Sequence, residues 1–360
     1  MKNDQNISIK RIEYIDKVKG FAMLCIIAGH LDALIIKKLV YPFHIPVFFI
    51  ICGFFMKLEW RSLKSRILRL LIPYVFSVIT VGLIVTAKQT VKMTIGHAMD
   101  LPGLMKVFLG YLEAGLYASG STVNFFGIDV MPVGAVWFLP GMIWGCIFTV
   151  LIVRMSGWIS ERISAGKSGK KYAECLIAVT AAFMLWLAAY LTAGIIWLPL
   201  SIQSGCSSVI FITVGVYAKD LFLNRRMTLF YPAAFALFAA AMYFSIANDY
   251  MSIARSCFPD PAINILGAIA GTWLLIGFFR SFSCGAVGKQ LAVFGKNSIV
   301  VLSVHYIEKN IIPWQKLAAL LGDGIPAWSA VYVLKVAICF IGVILVGRVS
   351  LLKKIYSITD

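Results

Sequence analysis

Among the ionisable side chains in an apolar stretch near the beginning of the chain, Asp16, Lys19 and His30 are the candidates for a functional site. Ionisable groups inside membrane spans are costly, and they therefore indicate a functional site. On a helix, Asp16 and Lys19 share a face and are able to pair, and His30 lies about three turns, or about 16 Å, beyond Lys19 on that face. This spacing predicts a polar stripe that leads to an imidazole. The alternative is that Asp16 and Lys19 are interfacial and that His30 only hydrogen-bonds a neighbouring helix.

A second histidine, His44, begins the next apolar segment, which continues through Pro46 and several phenylalanines. Taken alone, His44 would be interpreted as an interfacial residue, but two histidines on consecutive helices are more indicative of a site. Arg66 and Arg69 precede the third apolar segment and share a helical face. Guanidinium groups bind phosphates through forked hydrogen bonds, so this pair predicts a phosphate site; the alternative is simple anchoring by positive charge.

Membrane-spanning helices must position these residues, because the composition excludes an ordinary soluble domain. Of 360 residues, 60% are hydrophobic and 14% charged, whereas about a quarter of a soluble domain is charged. The net charge of +17 lies in short clusters between apolar runs, which indicates retention of cytoplasmic loops and not nucleic-acid binding. The eight cysteines are interpreted as small buried hydrophobic residues, and neither a metal site nor a bound cofactor is expected.

A span requires about 20 apolar residues. The sequence therefore predicts an all-α, polytopic integral membrane helix bundle of about ten transmembrane helices, forming one domain over residues 1–360. The predicted helices are 15–36, 40–57, 68–87, 135–154, 173–193, 197–218, 228–247, 262–280, 297–320 and 327–350.

Lysines and arginines concentrate before the first predicted helix and at every second junction after it. This bias predicts that both termini are cytoplasmic. The longest segment between predicted helices, about 88–134, would then be extracytoplasmic, and its glycine and aromatic content favours a packed cap or interfacial helix over a disordered loop. We find none of the internal repeats that are common in transporters.

Five short motifs, in this order, resemble those of the membrane acyltransferase family 3, and together they extend over almost the whole chain. The motifs are Lys19 with His30; His44 to Phe49 with Gly53-Phe54; Arg66 and Arg69 with Pro73; Val136 to Leu139; and Gly295 to Ser298 with His305. The chain departs from the family pattern at Lys19, where arginine is frequent, and at Cys52, where serine is frequent.

The resemblance implies O-acylation of an extracytoplasmic sugar by a cytoplasmic acyl-CoA, usually acetyl-CoA, which is a donor substrate and not a bound cofactor. His30 is the expected general base, since an imidazole with a pKa near 6.5 is suited to activate a sugar hydroxyl. Asp16 and Lys19 are expected to support His30 in catalysis. Arg66 and Arg69, together with Lys19, are expected to bind the donor.

Four further residues are candidates for binding the acceptor: His44, Trp137, His305 and Glu308. His305 and Glu308 are three residues apart and share a helical face, and a tryptophan such as Trp137 is suited to stack on a sugar ring. For His305 and Glu308 the alternative is ordinary packing between helices, and for Trp137 it is anchoring at the membrane interface. His97 and Lys335 are interpreted as residues outside the site.

These observations favour an O-acyltransferase in the bacterial cytoplasmic membrane, with acyl-CoA and a carbohydrate as substrates and no nucleic-acid partner. A secondary transporter for a glycan precursor or small metabolite is the alternative, and a sensory or scaffold domain is a third. The motifs do not specify the acceptor, the acyl chain length or the oligomeric state. They are also compatible with both direct transfer and transfer through an acyl-histidine intermediate.

Overall fold

The computed structural model describes residues 12–31, 33–97, 99–125, 128–163, 166–224, 229–322 and 324–357. These residues are almost entirely helical, which confirms the predicted all-α bundle. The helices are α1 (Glu13–Gly29), α2 (Leu34–Val40), α3 (His44–Phe54), α4 (Trp60–Ile95), α5 (Leu101–Tyr117), α6 (Phe138–Ile163), α7 (Lys167–Thr192), α8 (Ile202–Leu223), α9 (Tyr231–Ala247), α10 (Pro261–Ser281), α11 (Gly285–Lys296), α12 (Ser298–Ile311), α13 (Trp314–Leu320), α14 (Gly324–Arg348) and α15 (Ser350–Ile355). Two short antiparallel strands, β1 (Val123–Phe125) and β2 (Ile128–Val130), and 3₁₀ turns at Gly134–Trp137 and Ile253–Arg255 complete the described structure.

Seven helical segments of the described chain are long and apolar enough to cross a membrane, and each matches one of the ten predicted helices. They are Leu34–Phe54, Trp60–Ile95, Gly134–Ile163, Gly169–Thr192, Ile202–Leu223, Pro261–Ser281 and Gly324–Arg348. The remaining three predicted helices coincide with shorter ones. The α1 and α9 helices have 17 residues each, and the segment predicted as 297–320 is interrupted at Ile312 and Pro313 between α12 and α13.

The first helix is short and carries charges because other protein elements surround it. Helix α1 contacts α2, α3, α10, α11, α12 and α14, so it needs no wide apolar face towards lipid. Its contact with α11 is made by the backbones themselves: a Cβ added at Gly20 would overlap the Leu291 carbonyl oxygen, and one added at Gly295 would overlap that of Asp16. These glycines fix the position of α1, and therefore of the residue that follows it, His30.

The segment from 88 to 134 contains more regular structure than a loop. Helix α4 continues to Ile95, and α5 packs back against it, with the Tyr74 hydroxyl donating a hydrogen bond to the Gly115 carbonyl oxygen at 2.5 Å. Helix α5 agrees with the expected packed or interfacial element, whereas its extracytoplasmic location stays a prediction. The orientation of both termini and the total of ten spans also stay predictions.

One predicted boundary is displaced. The sixth helix was predicted to begin at 197, but α8 begins at Ile202, because Leu200 and Ser201 adopt left-handed backbone conformations that end any helical continuation from Trp197. The Ser201 hydroxyl instead donates a hydrogen bond to the carbonyl oxygen of Ala118, which ties this turn to the end of α5.

Candidate active site

His30 lies at the end of α1, where the chain leaves the helix. Its ring turns back towards the preceding turn, and the Nδ1 atom is 2.9 Å from the carbonyl oxygen of Ile26. A carbonyl oxygen only accepts hydrogen bonds, so Nδ1 carries the proton. In the neutral ring the Nε2 atom then keeps its lone pair, which is the form required of a base.

Three buried residues from two other helices continue from His30 as a chain of polar contacts. His305 Nε2 is 3.2 Å from His30 Nδ1, and His305 Nδ1 is 2.7 Å from Glu308 Oε1. The Lys335 Nζ atom lies 3.2 Å and 3.3 Å from the two carboxylate oxygens of Glu308. His305, Glu308 and Lys335 are 0%, 4% and 2% exposed. We call these four residues, including His30, the histidine cluster.

The contacts within the histidine cluster are satisfied by one arrangement of protons on the ring nitrogens. Glu308 accepts from His305 Nδ1–H and from the Lys335 ammonium, which leaves His305 Nε2 as an acceptor for the shared His30 Nδ1–H. An interior charge is stable only with a partner, and here the carboxylate of Glu308 and the ammonium of Lys335 compensate each other. The carboxylate orients His305, and His305 in turn orients His30, as second-shell carboxylates orient imidazoles in other sites.

Two cavities adjoin His30. The larger is about 300 Å³ and is lined by His30, Lys309, Ile312, Pro313, Trp314, Gln315, Lys316 and Lys335. The smaller is about 40 Å³ and has His30, His44 and Trp137 among its lining residues. Only the larger reaches the size of about 300 Å³ at which small-molecule sites begin.

His44 and Trp137 therefore lie beside His30, but on the side of the smaller cavity. His44 is 4% exposed, and its Nδ1–H donates a hydrogen bond to the Val40 carbonyl oxygen at 2.7 Å. Trp137 is 7% exposed and packs edge-on against Phe138. The structure thus groups both residues with His30, but their side chains are enclosed by their own neighbours.

Asp16 and Lys19 pair with each other, with Lys19 Nζ 2.8 Å from Asp16 Oδ1. They lie in the first half of α1, with Lys19 about 16 Å and Asp16 about 21 Å along the helix from His30, so they do not contact the imidazole. The sequence correctly suggested that Asp16 and Lys19 are able to pair. Their expected participation in catalysis would have to act through the position of α1.

Arg66 and Arg69 lie in different surroundings. The Arg66 guanidinium points into the bundle, with Nη1 2.9 Å from the Cys52 sulfur and Nη2 donating to the Phe55 carbonyl oxygen at 2.8 Å. The Cys52 sulfur is 3.4 Å from that of Cys146. We call Arg66, Cys52 and Cys146 the arginine cluster. Arg69 is exposed one turn further along α4, so the two guanidinium groups do not form one preformed clamp.

The two clusters lie at opposite ends of α3. His44 begins this helix near His30, whereas Cys52 lies eight residues later, about 12 Å along the axis. Helix α4 leads from Arg66 at one end to Lys88 at the other, and Lys88 donates to the carbonyl oxygen of Ile311 at 2.7 Å. These two α4 residues are about 33 Å apart along the helix, close to the thickness of a bilayer core.

Sequence reasoning missed Lys335 and Cys146. Lys335 was interpreted as lying outside the site, although it is an ionisable residue within an apolar span, and the rule applied to His30 should have drawn attention to it. Cys146 gave no such signal, because a cysteine among apolar residues is an ordinary buried residue. His97, set aside in the same way, lies in the exposed turn after α4, away from both clusters.

Charged side chains buried among apolar helices of membrane-spanning length define the class of this molecule: an integral membrane protein with an internal polar site. A family model described as an acyltransferase domain matches residues 12–347. The chain therefore belongs to the membrane acyltransferase family 3, and the resemblance inferred from the motifs is confirmed. No curated protein and no solved structure matches the chain.

Proposed function

We propose that the protein transfers an acetyl group from cytoplasmic acetyl-CoA to a hydroxyl of a cell-surface or lipid-linked carbohydrate. The observation that carries this proposal is His30, whose Nε2 keeps a lone pair, beside a cavity of about 300 Å³. The host membrane is the bacterial cytoplasmic membrane, with both termini inside. Family membership favours this acyltransferase over the transporter considered above.

The donor approaches from the end of the bundle that holds the arginine cluster. CoA carries several phosphates, and Arg66 is a half-buried cation whose described hydrogen-bond partners are the Cys52 sulfur and the Phe55 carbonyl oxygen. A guanidinium has five N–H donors, so Arg66 retains donors for a phosphate. Arg69, exposed one turn away, adds a second positive charge at the entrance.

The acceptor hydroxyl approaches His30 from the larger cavity, at the opposite end. His30 Nε2 takes the hydroxyl proton as the oxygen attacks the thioester carbonyl carbon. The carbon–sulfur bond then breaks, and the proton held on His30 passes to the departing CoA thiolate. One O–acyl bond has replaced one S–acyl bond, and free CoA and the acylated sugar are the products.

The rest of the histidine cluster supports this proton transfer. When His30 becomes positively charged, its Nδ1–H donates to His305, and the negative charge of Glu308 stabilises the cation through His305. A positioned general base contributes about 10²–10⁴-fold to a rate. His305, Glu308 and Lys335 are therefore positioning residues in this mechanism, and His30 is the catalytic residue.

The experiment measures two products with purified protein in lipid nanodiscs: free CoA, quantified by chromatography, and radioactive acetyl incorporated into glycan from the native membrane. We expect His30→Ala to lower acetyl transfer by about 10²–10⁴-fold. His97→Asn is the matched control, because His97 is exposed and lies outside both clusters. Undiminished transfer by His30→Ala would remove His30 from the mechanism, and transport of a glycan precursor without acetyl incorporation would contradict the proposed function itself.

A further inference from the structure

The larger cavity beside His30 has an unusual set of lining residues. Three of them are lysines, Lys309, Lys316 and Lys335, and none of the described lining residues is an aspartate or glutamate. Lys335 is compensated by Glu308 just behind the cavity wall. Counted by formal charge, the described lining residues therefore carry an excess of positive charge, in a cavity next to the proposed base.

Three lysines are more than would be expected at this end of the bundle. They lie at the end of the bundle where Lys88 contacts Ile311, about 33 Å along α4 from Arg66. In the proposed orientation this is the extracytoplasmic end, where short loops carry few lysines and arginines. Retention of cytoplasmic loops explains the basic residues at the other end but does not explain Lys309 and Lys316.

One side chain in the cavity wall, Lys335, is held in position by two neighbours. The Lys335 ammonium lies 4.3 Å from the centre of the Trp314 ring while it contacts Glu308. A cation over an aromatic face is attracted to it, so Trp314 and Glu308 together hold Lys335 between them. Lys309 and Lys316 are exposed. Lys309 lies at the end of α12 and Lys316 lies in α13, on either side of the interruption between these helices at Pro313.

We propose that the acceptor carries a negative charge, a carboxylate or a phosphate, on or next to the sugar that presents the reacting hydroxyl. Lys309 and Lys316 bind this anion and thereby place the hydroxyl at His30. Clefts lined by one sign of charge concentrate ligands of the opposite sign and lose this effect as salt rises. This inference rests on the proposed function and defines its substrate class: an anionic carbohydrate.

The test compares three oligosaccharides of similar length: a neutral glucan, an oligouronate and a glycosylated polyol-phosphate chain. Binding to the protein in nanodiscs is measured by titration calorimetry without acetyl-CoA, and acetylation is measured separately. We expect at least one anionic oligosaccharide to bind and react about 10-fold better than the neutral one, with the preference reduced between 50 and about 500 mM salt. The two anionic oligosaccharides distinguish a carboxylate from a phosphate as the recognised group.

The variant for this test is Lys309→Gln combined with Lys316→Gln, which we expect to abolish the preference for the anionic oligosaccharide. The arginine versions, Lys309→Arg with Lys316→Arg, should restore the preference. The charge-matched control is Lys92→Gln with Lys106→Gln, two exposed lysines outside the cavity.

Equal binding of neutral and anionic oligosaccharides would overturn the inference, as would a charge preference that survives the double glutamine substitution. These results concern binding, so they are independent of turnover. Charge-selective binding without acetylation of any oligosaccharide would support the anion site while counting against the proposed function.

Discussion

The histidine cluster and the arginine cluster are both polar groups inside an apolar bundle, but their charged side chains have different partners. In the histidine cluster the Lys335 ammonium faces the Glu308 carboxylate, and every contact from there to His30 is a hydrogen bond within the cluster. In the arginine cluster the described hydrogen-bond partners of the Arg66 guanidinium are the Cys52 sulfur and the Phe55 carbonyl oxygen, and neither is a carboxylate.

This difference separates two tasks that one enzyme has to perform. A compensated, fully hydrogen-bonded cluster holds a base in one orientation, and this rigidity suits proton transfer. A cation whose described partners include no carboxylate gains an ion pair when a phosphate arrives, which suits the binding of a phosphate. Mutations in the first cluster should therefore change mainly kcat, and mutations in the second should change mainly KM for the donor.

Among the variants that compare the two clusters, the largest effect is expected from Glu308→Gln. Glutamine keeps the shape but loses the charge, so it no longer stabilises a protonated His30 and it deprives the buried Lys335 ammonium of the Glu308 carboxylate. We expect kcat to fall by at least about 100-fold, by analogy with carboxylates that orient catalytic histidines, with KM for acetyl-CoA little changed. Thermal stability in detergent should also fall, because removing one partner of a buried pair typically costs about 3–5 kcal/mol.

Two variants separate the catalytic from the structural effect of Glu308. Combining Glu308→Gln with Lys335→Met removes both charges, and it should recover thermal stability without recovering kcat. Glu161→Gln is the matched control, since its pair with Lys170 at 2.7 Å is at the surface, where such pairs contribute only about 0–1 kcal/mol. If Glu308→Gln retained full kcat, the pair of Glu308 and Lys335 would be a packing feature with no part in the chemistry.

A smaller effect, of a different kind, is expected from Arg66→Ala. Hydrogen bonds to charged groups contribute about 1.5–3 kcal/mol, so KM for acetyl-CoA should rise by about 10–100-fold while kcat stays within a few-fold of the original. The measurement is a set of initial rates over a range of acetyl-CoA concentrations at saturating acceptor. Arg69→Ala should raise KM less, because its exposed charge is screened by water and salt.

The donor itself supplies the control for Arg66. S-Acetyl-pantetheine has the thioester but lacks the nucleotide phosphates, so the original protein and Arg66→Ala should use it equally well. A defect of Arg66→Ala with this short donor as large as that with acetyl-CoA would show that Arg66 acts through the structure of the bundle and not through phosphates.

The same contrast explains which parts of the site the sequence could reveal. His305 and Glu308 are recognisable as a pair because three residues along one helix bring side chains together. Their contacts with His30 and Lys335 join residues on three helices, and these depend on packing such as the approach of α1 to α11 at Gly20. Helical periodicity contains no information about such distant contacts.

The predicted boundaries of several helices were wrong for a related reason. Hydropathy counts apolar residues, so it merged α12 and α13 into one span and extended the first helix to 36 instead of Gly29. These interruptions put His30 at a helix end and Lys316 beside the larger cavity. The sequence was most misleading where a helix is interrupted to form the site, because an interruption hardly changes the number of apolar residues in the segment.

The smallest effect is expected at Cys52, where the family often has serine. A serine hydroxyl also accepts a hydrogen bond from Arg66, so Cys52→Ser should change KM for acetyl-CoA by no more than about 2–3-fold. Cys52→Val removes the acceptor and leaves the guanidinium with the Phe55 carbonyl oxygen alone, at a cost of about 1 kcal/mol for one lost hydrogen bond. We therefore expect KM to rise by about 5-fold in Cys52→Val, with kcat unchanged, in the same initial-rate measurement.

Cys146→Ala is the control that isolates this hydrogen bond. It removes the neighbouring sulfur, 3.4 Å from that of Cys52, but leaves the contact between Arg66 and Cys52 in place, so its KM should stay close to the original value. If Cys146→Ala and Cys52→Val raised KM equally, the local packing of the two sulfurs, and not the orientation of Arg66, would determine donor binding. If Cys52→Ser instead lowered kcat strongly, the thiol would take part in the reaction, and the separation of chemistry from charge binding would no longer hold.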